Sequence, residues 1–247
     1  MTLQEFFAAC PKAALGLSGG VDSAYLLYAG LSCGADVRPY FIKSIFQPQF
    51  ELDDAQKLCH QLGVELTVLP ADVLSVPHVA ENPANRCYYC KQAIFGTLSR
   101  QAALDGYSLL LDGTNTSDDV DDRPGMQALR ELSVRSPLRE CGLTKDEIRR
   151  RSREAGLFTW NKPSYACLAT RVPAGVKLTE EVLCRVEGAE KALFSLGFSD
   201  LRVRVFHDAA RLQLPASQME RAAAMASQLR QALSPYFSDV FLDLKGR

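Results

Sequence analysis

Apolar positions along the first half of the chain alternate between two spacings. Residues 13–17 form a short apolar run that reads as a buried strand, and residues 23–31 carry apolar side chains at helical spacing. The pair recurs. Residues 37–43 predict a second strand, 52–62 a helix, 64–69 a third strand, 94–104 a helix and 108–111 a short strand. Residues 3–10 suit a short leading helix, and a looser segment with two prolines and two asparagines spans 77–86. Strands alternating with helices imply a parallel sheet covered on both faces, so the fold class is α/β.

Around residues 173–177 the pattern changes. Thr179 is placed to cap an amphipathic helix through 196, and Gly197 to stop it. Residues 200–206 then alternate, with Leu201, Val203 and Val205 on one face and Arg202 and Arg204 on the other. His207-Asp208-Ala209 reads as a turn, 211–214 as a partner strand, 217–233 as a helix and 240–244 as a last strand. The chain therefore divides into a larger domain, 1–174, and a small α+β domain, 175–247.

The junction of the first strand and helix reads Gly16-Leu17-Ser18-Gly19-Gly20-Val21-Asp22-Ser23. Glycines let the backbone turn tightly, Ser18 and Ser23 offer hydroxyls, and the helix points its positive end at the same place, which is what a phosphate requires. A Walker loop would end in Gly-Lys-Ser/Thr. This one has no lysine and carries Asp22, which could hold Mg²⁺. The bland alternative is a glycine-rich turn with no ligand. Asp112-Gly113-Thr114-Asn115 closes the short strand at 108–111, at the sheet end where ligands of such folds sit.

The N-terminus lacks a signal-peptide pattern, and no apolar stretch reaches membrane-spanning length, so a cytoplasmic protein with reduced thiols is expected. A net charge of −1 gives no bias toward nucleic acid. Of the eight cysteines, Cys10, Cys33, Cys59, Cys141 and Cys184 are scattered like packing residues. Cys87-x-x-Cys90 and Cys167 stand apart. Three thiolates suit an iron–sulfur cluster with one open iron. Zinc would need a fourth ligand such as Cys141 or His78, and Cys87 with Cys90 alone would suit a redox pair. Spacing leaves all three open.

Arg202 and Arg204 on one strand face could clamp a phosphate or carboxylate, with Glu190 orienting one of them, or could form an exposed polar face. Asp118, Asp119, Asp121 and Asp122 read as an acidic surface loop rather than a second Mg²⁺ site, and Arg123 could reach a triphosphate. Thr144 has capping-box spacing to Glu147 and starts a helix whose run Arg149, Arg150, Arg151 and Arg153 reads as solvated surface rather than a polyanion site.

SGGVDS resembles the PP-loop of ATP pyrophosphatases, which cleave ATP between its α and β phosphates. With NRCYYCK (85–91), DGTN, RPG, SPL, LTKDEIR, PSYACLATR and LRVRV, nearly the whole chain resembles the LarE family. These are ATP-dependent sulfurtransferases that make the nickel-pincer nucleotide cofactor of lactate racemase. The resemblance implies a PP-loop domain with a small C-terminal α+β domain. It also implies adenylation of a carboxylate of pyridinium-3,5-biscarboxylic acid mononucleotide, followed by replacement of AMP with sulfur. Gly16, Leu17, Ser18, Gly19, Gly20, Val21, Asp22 and Ser23 would then hold pyrophosphate, with Asp22 on Mg²⁺. Ser44, Gly113, Thr114, Asn115 and Arg123 would bind the nucleotide, and Glu190, Arg202 and Arg204 the substrate phosphate.

One branch of the family sacrifices the sulfur of a single cysteine, matching Cys167. The other keeps three cysteines and carries sulfide on a [4Fe–4S] cluster. Retention of Cys87, Cys90 and Cys167 favours the second. Gln213 stands where family members often have Glu. Implied partners are the pyridinium mononucleotide, sulfide or a sulfur donor, and further copies of the chain, with neither nucleic acid nor membrane. The rivals are a tRNA thiolase, which should carry a basic RNA-binding surface, a PP-loop amidotransferase or NAD synthetase, which would not need the cysteines, and a non-catalytic nucleotide- or metal-binding regulator.

Overall fold

A computed structural model describes residues 1–118 and 124–247, which form two compact units: Met1–Val79 with Asn85–Lys162, and Ala80–Ala84 with Pro163–Arg247. The first is built on a four-stranded sheet in the order β3-β2-β1-β4. β1 (Lys12–Gly16) lies at its centre with Ala13, Ala14 and Leu15 fully buried, and pairs in parallel with β2 (Asp36–Lys43) and β4 (Leu110–Leu111). β3 (Thr67–Pro70) pairs in parallel with the outer side of β2. Continuous apolar runs such as 13–15 are what a strand buried on both faces needs.

The helices of this unit are α1 (Leu3–Ala9), α2 (Val21–Ser32), α3 (Gln49–Leu62), α4 (Arg86–Leu104), α5 (Pro124–Glu131), α6 (Pro137–Glu140) and α7 (Lys145–Glu154). Phe6, Phe7, Leu26, Leu27, Leu58 and Ile148 form the larger core cluster with Leu15 and Val37. Leu98 and Ala102 of α4 pack with Ala14, Tyr40 and Ile42 in a second cluster. Two clusters on one sheet give the doubly covered α/β layer that the periodicity predicts.

Two boundaries depart from the pattern. α4 begins at Arg86, well before the expected 94, so Cys87 and Cys90 stand one turn apart on a helix. Tertiary contacts extend it: Glu131 on α5 accepts hydrogen bonds from Tyr88 Oη (2.7 Å) and Gln92 Nε2 (2.5 Å). β3 begins at Thr67 because residues 63 and 64 still close α3. Gly63 turns there with φ +69°, and the Val64 N–H donates to the Cys59 carbonyl at 3.0 Å.

The second unit holds a three-stranded sheet, β5 (Arg202–Phe206), β6 (Ala209–Gln213) and β7 (Val240–Leu242), with the first pair antiparallel and the second parallel. α8 (Glu180–Ser195), α9 (Ala216–Ala224) and α10 (Ala226–Leu233) accompany it, the last two replacing the single helix expected over 217–233. Thr179 caps α8 through the Val182 N–H at 3.2 Å, and Gly197 follows its end with φ +79°. Leu183, Val186, Leu193, Leu201, Val203 and Leu212 are fully or almost fully buried, as the alternation requires.

The pattern places the boundary near residue 174. The compact unit begins instead at Pro163 and takes in Ala80–Ala84. Backbone pairing ties Ala80–Ala84 to it, from Leu178 N–H to the Ala80 carbonyl (2.7 Å) and from Gly175 N–H to the Asn82 carbonyl (2.8 Å). Asn82 Nδ2 adds a bond to the Pro173 carbonyl at 2.8 Å. No described helix is long and apolar enough to cross a membrane.

Candidate functional site

The glycine-rich loop joins β1 to α2 as its sequence predicts. Leu17 N–H donates to the Tyr40 carbonyl at 2.8 Å, keeping the loop on the sheet edge. Gly19 has φ +73°, and a Cβ there would lie 2.5 Å from the Glu51 carbonyl oxygen. Only glycine fits. Gly20 caps α2 without a side-chain hydrogen bond, so the helix start keeps its positive end for a ligand. Ser23 is buried, and its hydroxyl sits 3.0 Å from Ser18 Oγ and accepts the Ser18 N–H at 3.1 Å. It shapes the loop, while Ser18 is exposed.

The DGTN segment packs directly on this helix start. A Cβ on Gly113 would lie 2.8 Å from Ser23 N. Asp112 is buried and accepts hydrogen bonds from Thr114 Oγ1 (2.5 Å) and Ser136 Oγ (2.6 Å). Asn115 donates from Nδ2 to Asp22 Oδ1 at 3.2 Å. Lys145 forms an ion pair with the other Asp22 oxygen. Burial pushes the Asp22 carboxyl above its ordinary range, and the Lys145 hydrogen bond opposes that rise.

Ser18, Asp22, Lys91, Asp112 and Thr114 line the resulting polar cleft. Beside it an apolar cavity is lined by Tyr40, Phe41, Ile42, Ile94, Phe95 and Leu98, with Gly16, Leu17 and Ser18 along its rim. Ser44 is buried and organises the turn after β2, donating to Gln47 Oε1 at 2.6 Å. Arg123, Asp119, Asp121 and Asp122 lie outside the described residues.

The three singled-out cysteines divide between the units: Cys87 and Cys90 on α4 in the first, Cys167 in the second, opening the 3₁₀ turn Leu168–Arg171. Cys87 is exposed, and Cys90 and Cys167 are half-buried. Among the described residues no disulfide forms, and no three His, Cys, Asp or Glu side chains gather to hold a metal. Two thiols a helical turn apart suit one thiophilic ion in their chemistry.

In the second unit Arg202 and Arg204 share one face of β5, yet that face is not the exposed polar face that was the alternative. Arg202 is only 5% exposed. Its Nη1 donates to the Leu201 carbonyl (2.7 Å) and its Nη2 to the Ser164 carbonyl. Arg204 donates to the Thr170 carbonyl (2.7 Å) and to Gln213 Oε1. Neither has a carboxylate at ion-pair distance among the described residues. Burial first, and the Arg171 guanidinium second, push Arg202 down to about 10 and Arg204 in the same direction.

Glu190 orients a different arginine from the two expected. It is 1% exposed and accepts from Arg171 Nε (2.7 Å), Arg171 Nη2 (3.2 Å), the Val203 N–H (2.9 Å) and Tyr165 Oη. Arg171 Nη1 in turn donates to the Ala166 carbonyl and to Thr170 Oγ1, both at 2.8 Å, bracketing Cys167.

Sequence reasoning thus missed Lys145, Lys162, Tyr165 and Arg171. Each lies in or beside the LTKDEIR and PSYACLATR segments, but only the fold brings Lys145 to Asp22 or Lys162 to the Gly19 carbonyl. The basic run is satisfied internally. Arg150 pairs with Glu147 and Glu154, Arg151 with Glu147, and Arg149 donates to the Trp160 and Lys162 carbonyls.

No protein-family model matches the chain. It is 37% identical over 250 residues to an uncharacterised protein of Synechocystis sp., covering 99% of this chain and 92% of that one. It is 34% identical over 238 residues to the pyridinium-3,5-bisthiocarboxylic acid mononucleotide synthase of Lactiplantibacillus plantarum, covering 95% of this chain and 86% of that enzyme. An uncharacterised protein of Methanocaldococcus jannaschii is 28% identical over 203 residues, 82% of this chain and 77% of its own.

Proposed function

The chain belongs to the LarE family of PP-loop enzymes, and from that premise we propose that it is an ATP-dependent sulfurtransferase that turns a carboxylate of pyridinium-3,5-biscarboxylic acid mononucleotide into a thiocarboxylate. The observation that carries the reading is the Gly16–Ser23 loop: an uncapped helix start whose Gly19 admits no side chain. Its amides and Ser18 receive the ATP phosphates, and the apolar cavity at Tyr40, Phe41 and Ile42 receives the base. Gly113 and Thr114 border the same cleft from the DGTN side, Asn115 braces Asp22, and Ser44 holds the turn beyond β2.

The substrate carboxylate attacks the α-phosphorus, and pyrophosphate leaves with the bonding electron pair. The acyl adenylate then has AMP as a leaving group, where the carboxylate offered only a poor one. A sulfur nucleophile attacks the acyl carbon and expels AMP. Arg202 and Arg204 hold the phosphate of the mononucleotide, since their charges face neutral carbonyls and an amide rather than carboxylates. Asp22 would take Mg²⁺ once Lys145 releases it.

Cys87, Cys90 and Cys167 would hold a [4Fe–4S] cluster. When bound, that group supplies an open iron that carries sulfide. Cys167 as a sacrificial donor is the second reading. Sulfide or another sulfur donor and a second copy of the chain complete the proposed partners. The test measures pyrophosphate release and thiocarboxylate formation with the mononucleotide, ATP and sulfide, on protein whose iron, zinc and acid-labile sulfide have been determined without oxygen. Pyrophosphate release that is independent of the mononucleotide overturns the reading. A protein mass lighter by the elements of hydrogen sulfide after a single turnover, as conversion of Cys167 to dehydroalanine requires, selects the sacrificial route.

A further inference from the structure

We propose that Lys162, which rests on the phosphate loop itself, is the cation that receives the pyrophosphate end of ATP; this rests on the reading that the loop takes ATP. The loop from Gly16 to Ser23 contains no lysine, although a triphosphate brings several negative charges. The fold supplies one from far along the chain. Lys162 Nζ donates to the Gly19 carbonyl at 2.9 Å and to Asp54 Oδ2 at 2.5 Å. Its side chain is 14% exposed, and its ammonium lies 5.2 Å from the Phe50 ring centroid.

Both backbone groups of Lys162 are held. The Lys162 N–H donates to the Thr159 carbonyl at 3.0 Å, and its carbonyl accepts Arg149 Nη2 at 2.8 Å. Beyond that backbone runs a flexible four-carbon stem ending in a point charge with three donors. Asp54 balances the charge. Phosphate oxygens offer the same ammonium stronger, charge-assisted acceptors than the neutral Gly19 carbonyl. Among the described residues Lys91 lines the cleft and Lys145 pairs with Asp22, whereas Lys162 holds a carbonyl of the loop itself. When pyrophosphate departs, the Lys162 charge offsets the negative charge that builds on it, with no proton transferred.

A pin that merely braces Gly19 would show the same contacts, so the test must separate the two roles. Titration calorimetry would measure ATP, inorganic pyrophosphate and AMP on the full-length wild type, Lys162→Met and Asp54→Asn, with melting temperatures recorded alongside. Lys162→Met keeps an unbranched aliphatic side chain and removes the charge. It should weaken ATP and pyrophosphate by about tenfold or more, the worth of one hydrogen bond to a charged group, and leave AMP unchanged. Asp54→Asn frees the ammonium and should tighten pyrophosphate. If Lys162→Met weakens AMP equally, or if Asp54→Asn reproduces its losses, Lys162 is a brace and the proposal falls. Unchanged pyrophosphate affinity in a folded Lys162→Met also overturns it. A wild type that binds neither ATP nor pyrophosphate overturns the phosphate-loop reading along with it.

Discussion

Replacing Glu190 by alanine removes the carboxylate that holds the buried Arg171 guanidinium. Arg171 and Glu190 have side chains 0% and 1% exposed, so no water can take over for either. The change strands the Arg171 Nε and Nη2 donors and the Val203 N–H of β5, and removes the oxygen to which the Tyr165 hydroxyl donates. Breaking a buried pair from one side costs about 3–5 kcal/mol, because the surviving charge stays buried. Glu190→Gln keeps the shape and one acceptor oxygen but turns an NH₂ toward donors, for roughly 2–4 kcal/mol by the same reasoning. Urea unfolding followed by circular dichroism at pH 7 would read both. Trp160, the single tryptophan, lies in the first unit, so its fluorescence reports that unit separately. A loss under about 1 kcal/mol for Glu190→Ala would refute the reasoning. A variant of wild-type stability that no longer binds the mononucleotide would instead make Glu190 a direct ligand.

Cys87→Ala, Cys90→Ala and Cys167→Ala should each abolish sulfur transfer while ATP binding by calorimetry persists; full turnover by Cys87→Ala would exclude the cluster route. Arg202→Ala combined with Arg204→Ala should raise the KM for the mononucleotide by about tenfold or more, as loss of charged hydrogen bonds predicts, with little change for ATP. Equal losses for both ligands would point to misfolding. Arg150 and Arg151 hold the Glu147 carboxyl at about 2, below its ordinary 4.5. Since that shift is downward, its contribution to α7 is complete above the ordinary value and vanishes as pH falls toward about 2. Carbon-13 titration of Glu147 should show the depressed midpoint, and Arg150→Ala should move it back up.

The α/β layer was legible because its central strand is buried on both faces and its helices are not. Runs such as 13–15 and the helical spacing over 23–31 differ enough to be separated by period alone. Local punctuation was equally readable: Thr179 and Gly197 bound α8 through a cap and a left-handed turn, both of which depend on neighbouring residues only. The start of α4 was not legible. Its first turns carry Cys87, Tyr88, Cys90 and Lys91, with no core-facing period, and they become helical against Glu131 of α5. At the site, Gly19 and Asp22 announced themselves through a local motif. Lys145, Lys162 and Arg171 did not, because their partners lie far away in sequence and no spacing rule links them.

The cationic groups of the two units are held in different ways, and the difference predicts how each site fills. Lys162 and Lys145 rest on the carboxylates of Asp54 and Asp22, so a phosphate must displace an existing ion pair and gains only the difference. Arg202 and Arg204 rest on the carbonyls of Leu201, Ser164 and Thr170 and on the Gln213 amide. Their charge is already desolvated and faces only neutral acceptors, which is why burial depresses both. An anion arriving there relieves a cost instead of breaking a pair. Gln213 keeps this so: it links Arg204 to Asp243 through its own Nε2 at 2.8 Å, and a carboxylate in its place would neutralise Arg204 directly. Gln213→Glu should therefore weaken binding of the mononucleotide phosphate while ATP affinity holds. Unchanged or tighter mononucleotide binding in that variant would show that the charge of Arg204 is not what the phosphate meets.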